Sequence, residues 1–304
     1  MLCLRAEIRA RALTALVAAG ALTAACDGGA HPPDAQTTVS ATSAELSVRF
    51  DVAGDKPPTV SVLGFRAATA GPDGEDVLGL VDPLSAAAPD QGCALRDVDE
   101  ATSALVSRGS SIDLEELGGV GVGFDPADPT VPLVRPFPRV FPDVAGVVGG
   151  VVAESGPQPL AAMPEHVSLY SADSELAIAE LAVPALPRLA TVNGIVPTAG
   201  ARIETTSGIA LSLGAAAGAI VELRPFGATV AVTCSVPTNA STEAVVVIPR
   251  ALLVHLFASR SSATSGVAAS LEVARRTQIR EPLAAGGARV SVEVRSALAL
   301  ELRP

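Results

Sequence analysis

Hydrophobic and polar residues alternate with a period of two along several stretches of this chain. In residues 44–52, Leu46, Val48 and Phe50 occupy one parity, and charged or small polar residues occupy the other. Residues 229–236 alternate in the same way. Successive side chains of a β-strand point to opposite faces, so this pattern indicates half-buried strands.

The longest alternation lies near the C-terminus, where valine or leucine recurs at almost every second position from Val290 to Leu302. Ser296 is the only weak member of that run. The run is long for one strand, so we expect a bend near Ser296. Shorter apolar or alternating stretches predict further strands at 77–81, 95–98, 131–134, 144–152, 167–171, 175–181, 189–192, 209–213, 220–223, 244–248 and 268–274.

Two stretches favour helix. Residues 101–106 follow Asp99, and residues 249–257 begin with Pro249 and direct leucines to one side. Alanine is abundant and favours helix, but the alanines follow no period of 3.6 residues. Gly and Pro, with 27 and 24 occurrences, fall between the predicted strands. Many short strands separated by Gly and Pro predict an all-β fold with two β-sandwich domains, immunoglobulin-like or related.

The two predicted domains meet at residues 182–188, where two prolines interrupt the strand pattern. The first domain would span 44–181 and contain several long loops. The second would span 189–304, which is the usual length of one sandwich domain.

The N-terminus resembles a bacterial lipoprotein signal. A basic segment with Arg5, Arg9 and Arg11 precedes an uncharged run over 12–25 that is too short to span a bilayer. The segment ending at Cys26 resembles a lipobox, although Leu22 stands four residues before the cysteine rather than three. We predict a signal peptide over 1–25 and lipid on Cys26. Ordinary secretion, with Cys26 an incidental thiol, is the alternative.

A tether follows the lipidated cysteine. Residues 27–43 are rich in Gly, Pro, Ser, Thr and Ala and have no apolar period, so 26–43 should form a disordered linker. His31 lies in this linker and is expected to be solvated. No later apolar run approaches about 20 uninterrupted residues, so membrane attachment would come from the lipid on Cys26.

Charge and cysteine content narrow the possible partners. The net charge of −11 disfavours nucleic acid as a partner. Cys93 and Cys234 remain after the signal and the lipidated cysteine, and export makes a disulfide between them possible. Alternatively, each is a buried small hydrophobic residue. No CxxC or HxxxH spacing occurs, so neither a metal site nor a cofactor is predicted.

The sequence gives catalysis little support. His255 lies in an apolar segment and is expected in the core or at a domain interface, whereas His166 is expected in a turn. No GxSxG motif occurs. Residues 119–123 (GVGVG) lack the spacing of a nucleotide-binding loop and are expected to form a strand or turn.

Three acidic clusters are candidate sites. Residues 73–76 and the pair Asp125 and Asp128 could supply calcium ligands, but solvated turns are the favoured interpretation. The third cluster, residues 115–116 (Glu-Glu), could take part in glycoside hydrolysis. The chain has no Trp and a single Tyr, Tyr170, which counts against a saccharide site.

Several segments resemble uncharacterised, alanine-rich secreted lipoproteins of myxobacterial genomes: 93–98, 137–150, 232–236, 245–253 and 271–275. The resemblance implies β-sandwich domains and assigns no activity and no catalytic residue. We therefore predict a cell-envelope lipoprotein that acts without catalysis as a structural, adhesion or partner-binding module. Its partners would be the membrane, through Cys26, and an envelope protein or polymer. The alternatives are an envelope hydrolase with a loop-built carboxylate or metal site, and a periplasmic ligand carrier.

Overall fold

β-Strands dominate the structure, as the alternating pattern predicts. The computed structural model describes residues 41–54, 56–69, 89, 92–97, 103, 112–117, 119–124, 134–144, 148–171, 180–240, 242–258, 266–283 and 286–304. The strands of the first part are β1 (Ala41–Asp51), β2 (Thr59–Thr69), β3 (Gly92–Asp97), β4 (Ile112–Glu116), β5 (Val120–Gly123), β6 (Phe137–Val144), β7 (Val148–Glu154), β8 (Gln158–Pro159), β9 (His166–Ser171) and β10 (Leu181–Ala182). Those of the second part are β11 (Arg188–Val192), β12 (Ala201–Glu204), β13 (Ile209–Gly214), β14 (Ala219–Pro225), β15 (Val230–Ser235), β16 (Glu243–Ile248), β17 (Val267–Leu283) and β18 (Gly286–Arg303). A helix, α1, spans Arg250–Ala258.

These strands form three sheets. The large, twelve-stranded sheet has the order β3-β15-β14-β17-β18-β1-β2-β4-β7-β6, with β12 paired to β18 and β8 paired to β2. Two three-stranded sheets have the orders β10-β9-β5 and β11-β13-β16. The predicted all-β fold class is therefore confirmed.

One face of the large sheet carries two apolar cores. The first core joins β14, β15 and β17 to β13, β16 and α1, and it includes Leu211, Leu223 and Leu256. The second core joins β1, β2 and β18 to β5 and β9, and it includes Phe50 and Val292. Each three-stranded sheet thus packs against part of the large sheet, in a sandwich-like arrangement.

The hairpin of β17 and β18 runs through both cores. Its ladder has no register shift, and Ser296 pairs with Val273, so no bulge breaks the strand at the predicted bend. Val290, Val292 and Val294 belong to the second core, and Leu300 belongs to the first. Ser296 therefore marks the gap between two cores. All described residues fall within one compact unit, 39–304, and the division into 44–181 and 189–304 stays a prediction.

Several strands differ from the sequence-based expectations. β2 was not predicted because its two faces are both apolar: Val60 enters the second core, whereas Phe65 enters a smaller, third cluster with Ile112. The single strand expected over 144–152 is wrong, because β6 ends at Val144 and pairs antiparallel with β7. β6 contains two prolines and lies at the edge of the sheet, where proline is tolerated.

The start of the folded part is also corrected. β1 begins at Ala41 and pairs with β2 from its first residue, so the predicted linker to Ser43 is too long by three residues. Residues 1–25, Cys26 and His31 lie outside the described residues. So do 77–81 and, apart from Ser103, the helix predicted over 101–106. The helix predicted over 249–257 is confirmed as α1. Within the described part, no helix is long and apolar enough to cross a membrane.

Candidate interaction surface

The sheet β11-β13-β16 turns an apolar face outward. β13 buries Ile209, Leu211 and Leu213 in the first core, so the intervening Ala210 and Ser212 point away from it. The register places Val245 beside Ser212 and Val247 beside Ala210. On the other side of β13, Thr191 of β11 lies beside Ser212. We call this outward surface the valine face and define it by Thr191, Ala210, Ser212, Val245 and Val247.

The valine face is unusual in its polarity. Val245 is 67% exposed and Val247 is 56% exposed. The solvent-facing side of an antiparallel sheet normally carries polar residues. β16 is also the last strand of its sheet, and among the described strands it pairs only with β13. Exposed apolar side chains on an edge strand are typical of an interaction surface.

One end of the valine face carries opposite charges on its two outer strands. Arg188 of β11 pairs with Gly214 of β13, which pairs with Glu243 of β16. Both charged side chains are exposed and stand in the same row of the sheet. Two charged side chains of opposite sign therefore flank this end of the face.

A tight turn fixes the other end of the face. Val192 and Ile195 exchange backbone hydrogen bonds of 2.8 and 3.0 Å around Asn193 and Gly194, and both turn residues have positive φ. Asn-Gly is the preferred pair for such a turn because both residues tolerate this conformation. The Ala210 backbone N–H donates to the Asn193 side-chain oxygen at 2.8 Å. These bonds tie β11 to β13.

The two predicted cysteines meet behind this sheet. Cys93 of β3 and Cys234 of β15 are directly opposite each other and are joined by a disulfide. Cys234 also belongs to the first core and is fully buried. The Cys93 sulfur lies 3.4 Å from the carbonyl oxygen of Val247. The disulfide thus links the edge strand β3 to its neighbour β15 within the large sheet, at a point that contacts β16.

The other face of the large sheet carries the third apolar cluster at β2, β4 and β7, and it is charged over β1, β14, β17 and β18. Its side chains include Glu45, Glu222, Glu272, Arg276, Arg289, Glu293 and Arg295, and we call it the charged face. Glu293 is 1% exposed, and it accepts hydrogen bonds from Arg276 Nη2 at 2.6 Å and Nε at 3.1 Å. Arg49 Nε lies 3.6 Å from the other Glu293 oxygen. Glu45 pairs with Arg289 at 2.7 Å.

Burial shifts one pKa on the charged face upward. Glu222 is buried, and the loss of hydration raises its pKa above the ordinary value, with a further rise from Glu272. The Arg224 guanidinium, 2.6 Å away, opposes this rise only in part. Glu301 behaves in the opposite way, because hydrogen bonds from Arg202 and Arg303 lower its pKa.

Two small cavities lie among the described residues. One of about 10 Å³ lies on the charged face between Glu222, Glu272 and Glu293. Another of about 60 Å³ lies beside α1 and is lined by Arg250 and Phe257 among others. In the part of the chain that the structure describes, no three His, Cys, Asp or Glu side chains are grouped so as to hold a metal ion.

Both histidines of the described residues, His166 and His255, are exposed to solvent. His255 is exposed on α1, so the expectation of a core histidine is wrong: the helix turns Leu253, Leu256 and Phe257 inward instead. His166 begins strand β9 rather than lying in a turn, and its Nδ1 atom is 3.6 Å from Glu180.

Of the three acidic clusters, one lies within the described residues. Glu115 is exposed on β4. Residues 73–76, Asp125 and Asp128 lie outside the described residues. The glycine-rich segment forms strand β5, as one of its two interpretations expected. The hydrolase alternative stays a prediction.

The sequence-based reasoning missed the valine face. The only signal for it is the run of three valines in β16, which predicts a strand without saying which valines face outward. Comparisons of the chain with protein-family models, with curated proteins and with solved structures found no match.

Proposed function

We propose that this chain is a lipid-anchored module of the bacterial cell envelope that binds a protein partner through the valine face. The observation that carries the proposal is the pair of exposed valines, Val245 and Val247, on β16. This strand pairs with β13 in a regular antiparallel register, so both valines point to the same side. Contiguous exposed apolar side chains cost solvation free energy unless a partner covers them.

Export is supported by two independent features. The disulfide between Cys93 and Cys234 is a bond that persists in oxidising compartments and is rare in the cytosol. The segment from Leu22 to Cys26 resembles a lipobox, and lipid on Cys26 would hold the protein at a membrane.

The chemistry of the valine face favours a protein over a saccharide. Sugar-binding surfaces stack rings on aromatic side chains, whereas this face consists of aliphatic and small hydroxyl side chains. The row of β-branched residues offers a shape that fits another β-sheet, since sheets pack by interdigitating such side chains. We therefore propose a protein partner that presents a flat apolar surface.

The anchor and the surface can be tested together in cells. Mass spectrometry of the processed chain should find a fatty-acylated Cys26 at the N-terminus, and membrane fractions should contain the protein. The variant Cys26→Ser should leave the membrane fraction. Recovery of an unprocessed chain from the cytosol would contradict the proposal.

The surface itself is tested by crosslinking in intact envelopes. A photoreactive residue in place of Val247 should form a defined protein adduct. The matched control places it at Val140 on β6, which is 75% exposed and lies on a different sheet. Equal adducts at the two positions would show that position 247 marks no specific surface.

A further inference from the structure

We infer that the disulfide between Cys93 and Cys234 is a redox-sensitive latch that holds strand β3 on the edge of the large sheet. A dithiol that reduces this bond releases β3 and leaves the other strands folded. The inference goes beyond the proposed function, because it concerns a switch within the fold and depends on no partner of the valine face.

Strand β3 is weakly attached apart from the disulfide. It lies at one edge of the large sheet and, among the described strands, pairs only with β15. This ladder covers six residues, from Gly92 to Asp97. No residue of β3 is buried, and Leu95 is 36% exposed. A segment with few buried apolar contacts opens locally at a low free energy, so the ladder alone holds β3 poorly.

The neighbouring strand β15 is held independently of β3. On its other side β15 pairs with β14, and its four central residues, from Ala231 to Cys234, are buried. Val232 and Cys234 belong to the first core, to which β3 adds only the partly buried Cys93. Loss of β3 therefore uncovers the edge of β15 but removes no strand on which this core depends. The disulfide joins a weakly held strand to a firmly held one.

Polar contacts near β3 do not replace the covalent bond. The Ser235 hydroxyl donates a hydrogen bond to the carbonyl oxygen of Pro89, three residues before β3 begins. Arg96 attracts the Glu222 carboxylate, but of the groups that act on the pKa of Glu222 it has the smallest effect. Ser235 and Arg96 are both partly exposed, so water competes for these interactions.

The two sulfur atoms differ in access, and this sets the course of the reduction. Cys234 is fully buried, whereas Cys93 is partly exposed. A thiolate of the dithiol attacks the Cys93 sulfur and forms a mixed disulfide, while the Cys234 sulfur leaves as a thiolate and takes up a proton. The second thiol of the reagent then displaces the Cys93 thiol. Two electrons pass to the protein, which gains two thiols, and the dithiol becomes a disulfide.

Hydrogen–deuterium exchange of the purified chain, with and without dithiothreitol in native buffer, tests the latch. After reduction, the amides of β3 should exchange at least about tenfold faster, whereas those of β14 and β17 should keep their protection. Faster exchange in all strands would show that the bond holds the whole fold together. Unchanged exchange in β3 would show that the bond is not what holds this strand. Either result overturns the inference.

A double variant separates the covalent bond from side-chain packing. C93V/C234V places two apolar, β-branched residues at directly opposite positions, which favours strand pairing without a bond. Its β3 amides should exchange as fast as those of reduced wild type, and dithiothreitol should not change them. The amides of β14 and β17 report in the same measurement that the variant is folded. Protection of β3 equal to that in oxidised wild type would overturn the inference.

Single variants test the direction of attack. Cys93 in the variant Cys234→Ala should react with an aromatic disulfide reagent at least about tenfold faster than Cys234 in the variant Cys93→Ala. Mass spectrometry of the peptides that carry each cysteine measures the two rates. Faster reaction of Cys234 would contradict the attack on Cys93.

Discussion

Two sheet faces of this molecule reverse the usual relation between polarity and exposure. The valine face is apolar and exposed, with Val245 at 67%. The charged face of the large sheet is ionic and largely buried, with Glu293 at 1%. The alternation of residue types identifies the faces of a strand, but it does not say which face meets water.

The difference has a physical cause. A buried ion must be paired, and the charged face supplies an arginine for each buried glutamate that we describe. An exposed apolar face contains no charges that must be paired. Covering it with another surface is nevertheless favourable, because apolar area is removed from water. The first arrangement links neighbouring strands through their side chains, whereas the second leaves apolar surface in contact with water.

The largest effect should come from breaking one buried pair. Glu293→Gln leaves Arg276 without its carboxylate in a buried position, and this should lower the free energy of unfolding by about 3–5 kcal/mol. Chemical denaturation measures this loss. Glu154→Gln is the matched control, because its pair with Arg139 is exposed and should contribute less than about 1 kcal/mol. Equal effects of the two variants would show that the charged face is not buried in solution.

The next largest effect should follow the removal of the disulfide. The double variant C93A/C234A frees a loop with a sequence separation of 141 residues and should lose about 2–4 kcal/mol of stability. Thermal unfolding with and without a reductant measures it. Wild type should be destabilised by the reductant, and the double variant should be indifferent to it. An indifferent wild type would mean that the bond does not form.

A smaller, opposite pair of effects should appear in the pH dependence of stability. The folded-state pKa of Glu222 is raised, so its contribution to stability falls as the pH rises above the ordinary value of 4.5. The folded-state pKa of Glu301 is lowered, so its contribution is present above 4.5 and is lost as the pH falls through the folded value.

Replacing each glutamate by glutamine shows whether its contribution to stability rises or falls with pH. As the pH rises above 4.5, Glu222→Gln should gain stability relative to wild type. As the pH rises towards 4.5 from below, Glu301→Gln should lose stability relative to wild type. Denaturation series at several pH values give both slopes. Slopes of the same sign would contradict the contrast between the buried and the exposed carboxylate.

The smallest effect on folding should come from the valine face. The double variant V245K/V247K places charges at exposed positions, so the free energy of unfolding should change by less than about 0.5 kcal/mol. Partner capture in envelopes should nevertheless disappear. A large loss of stability would instead show that these valines belong to the core.

Much of the fold could be predicted because one face of a strand often meets one core. The alternation in β1 and β18 predicts their buried faces correctly, and the helix predicted from Pro249 is found as α1, which begins at Arg250. The prediction fails where both faces are alike. β2 is apolar on both faces because it separates two clusters.

Charge misleads the prediction in β17. Its expected end was residue 274, but the strand continues to Leu283 through Arg275 and Arg276. Consecutive arginines suggest a solvated loop. Arg276 is instead buried against Glu293, a partner 17 positions away that no local pattern identifies.

The candidate site could be predicted only in part. The cysteine pair could be proposed because few cysteines remain after the signal. The valine face could not, because the outward direction of Val245 and Val247 depends on the register between β16 and β13. That register is set by the pairing of two strands that are not adjacent in the sequence, so no local pattern reveals it.

The central claim is that a protein partner covers the valine face. Its most direct test places a photoreactive residue at Ser212, on the central strand of the face, and irradiates intact envelopes. We predict a covalent adduct with one defined protein and no such adduct from the same residue at position 140. A chain that stays uncrosslinked, or that gives the same adducts from both positions, would contradict the claim.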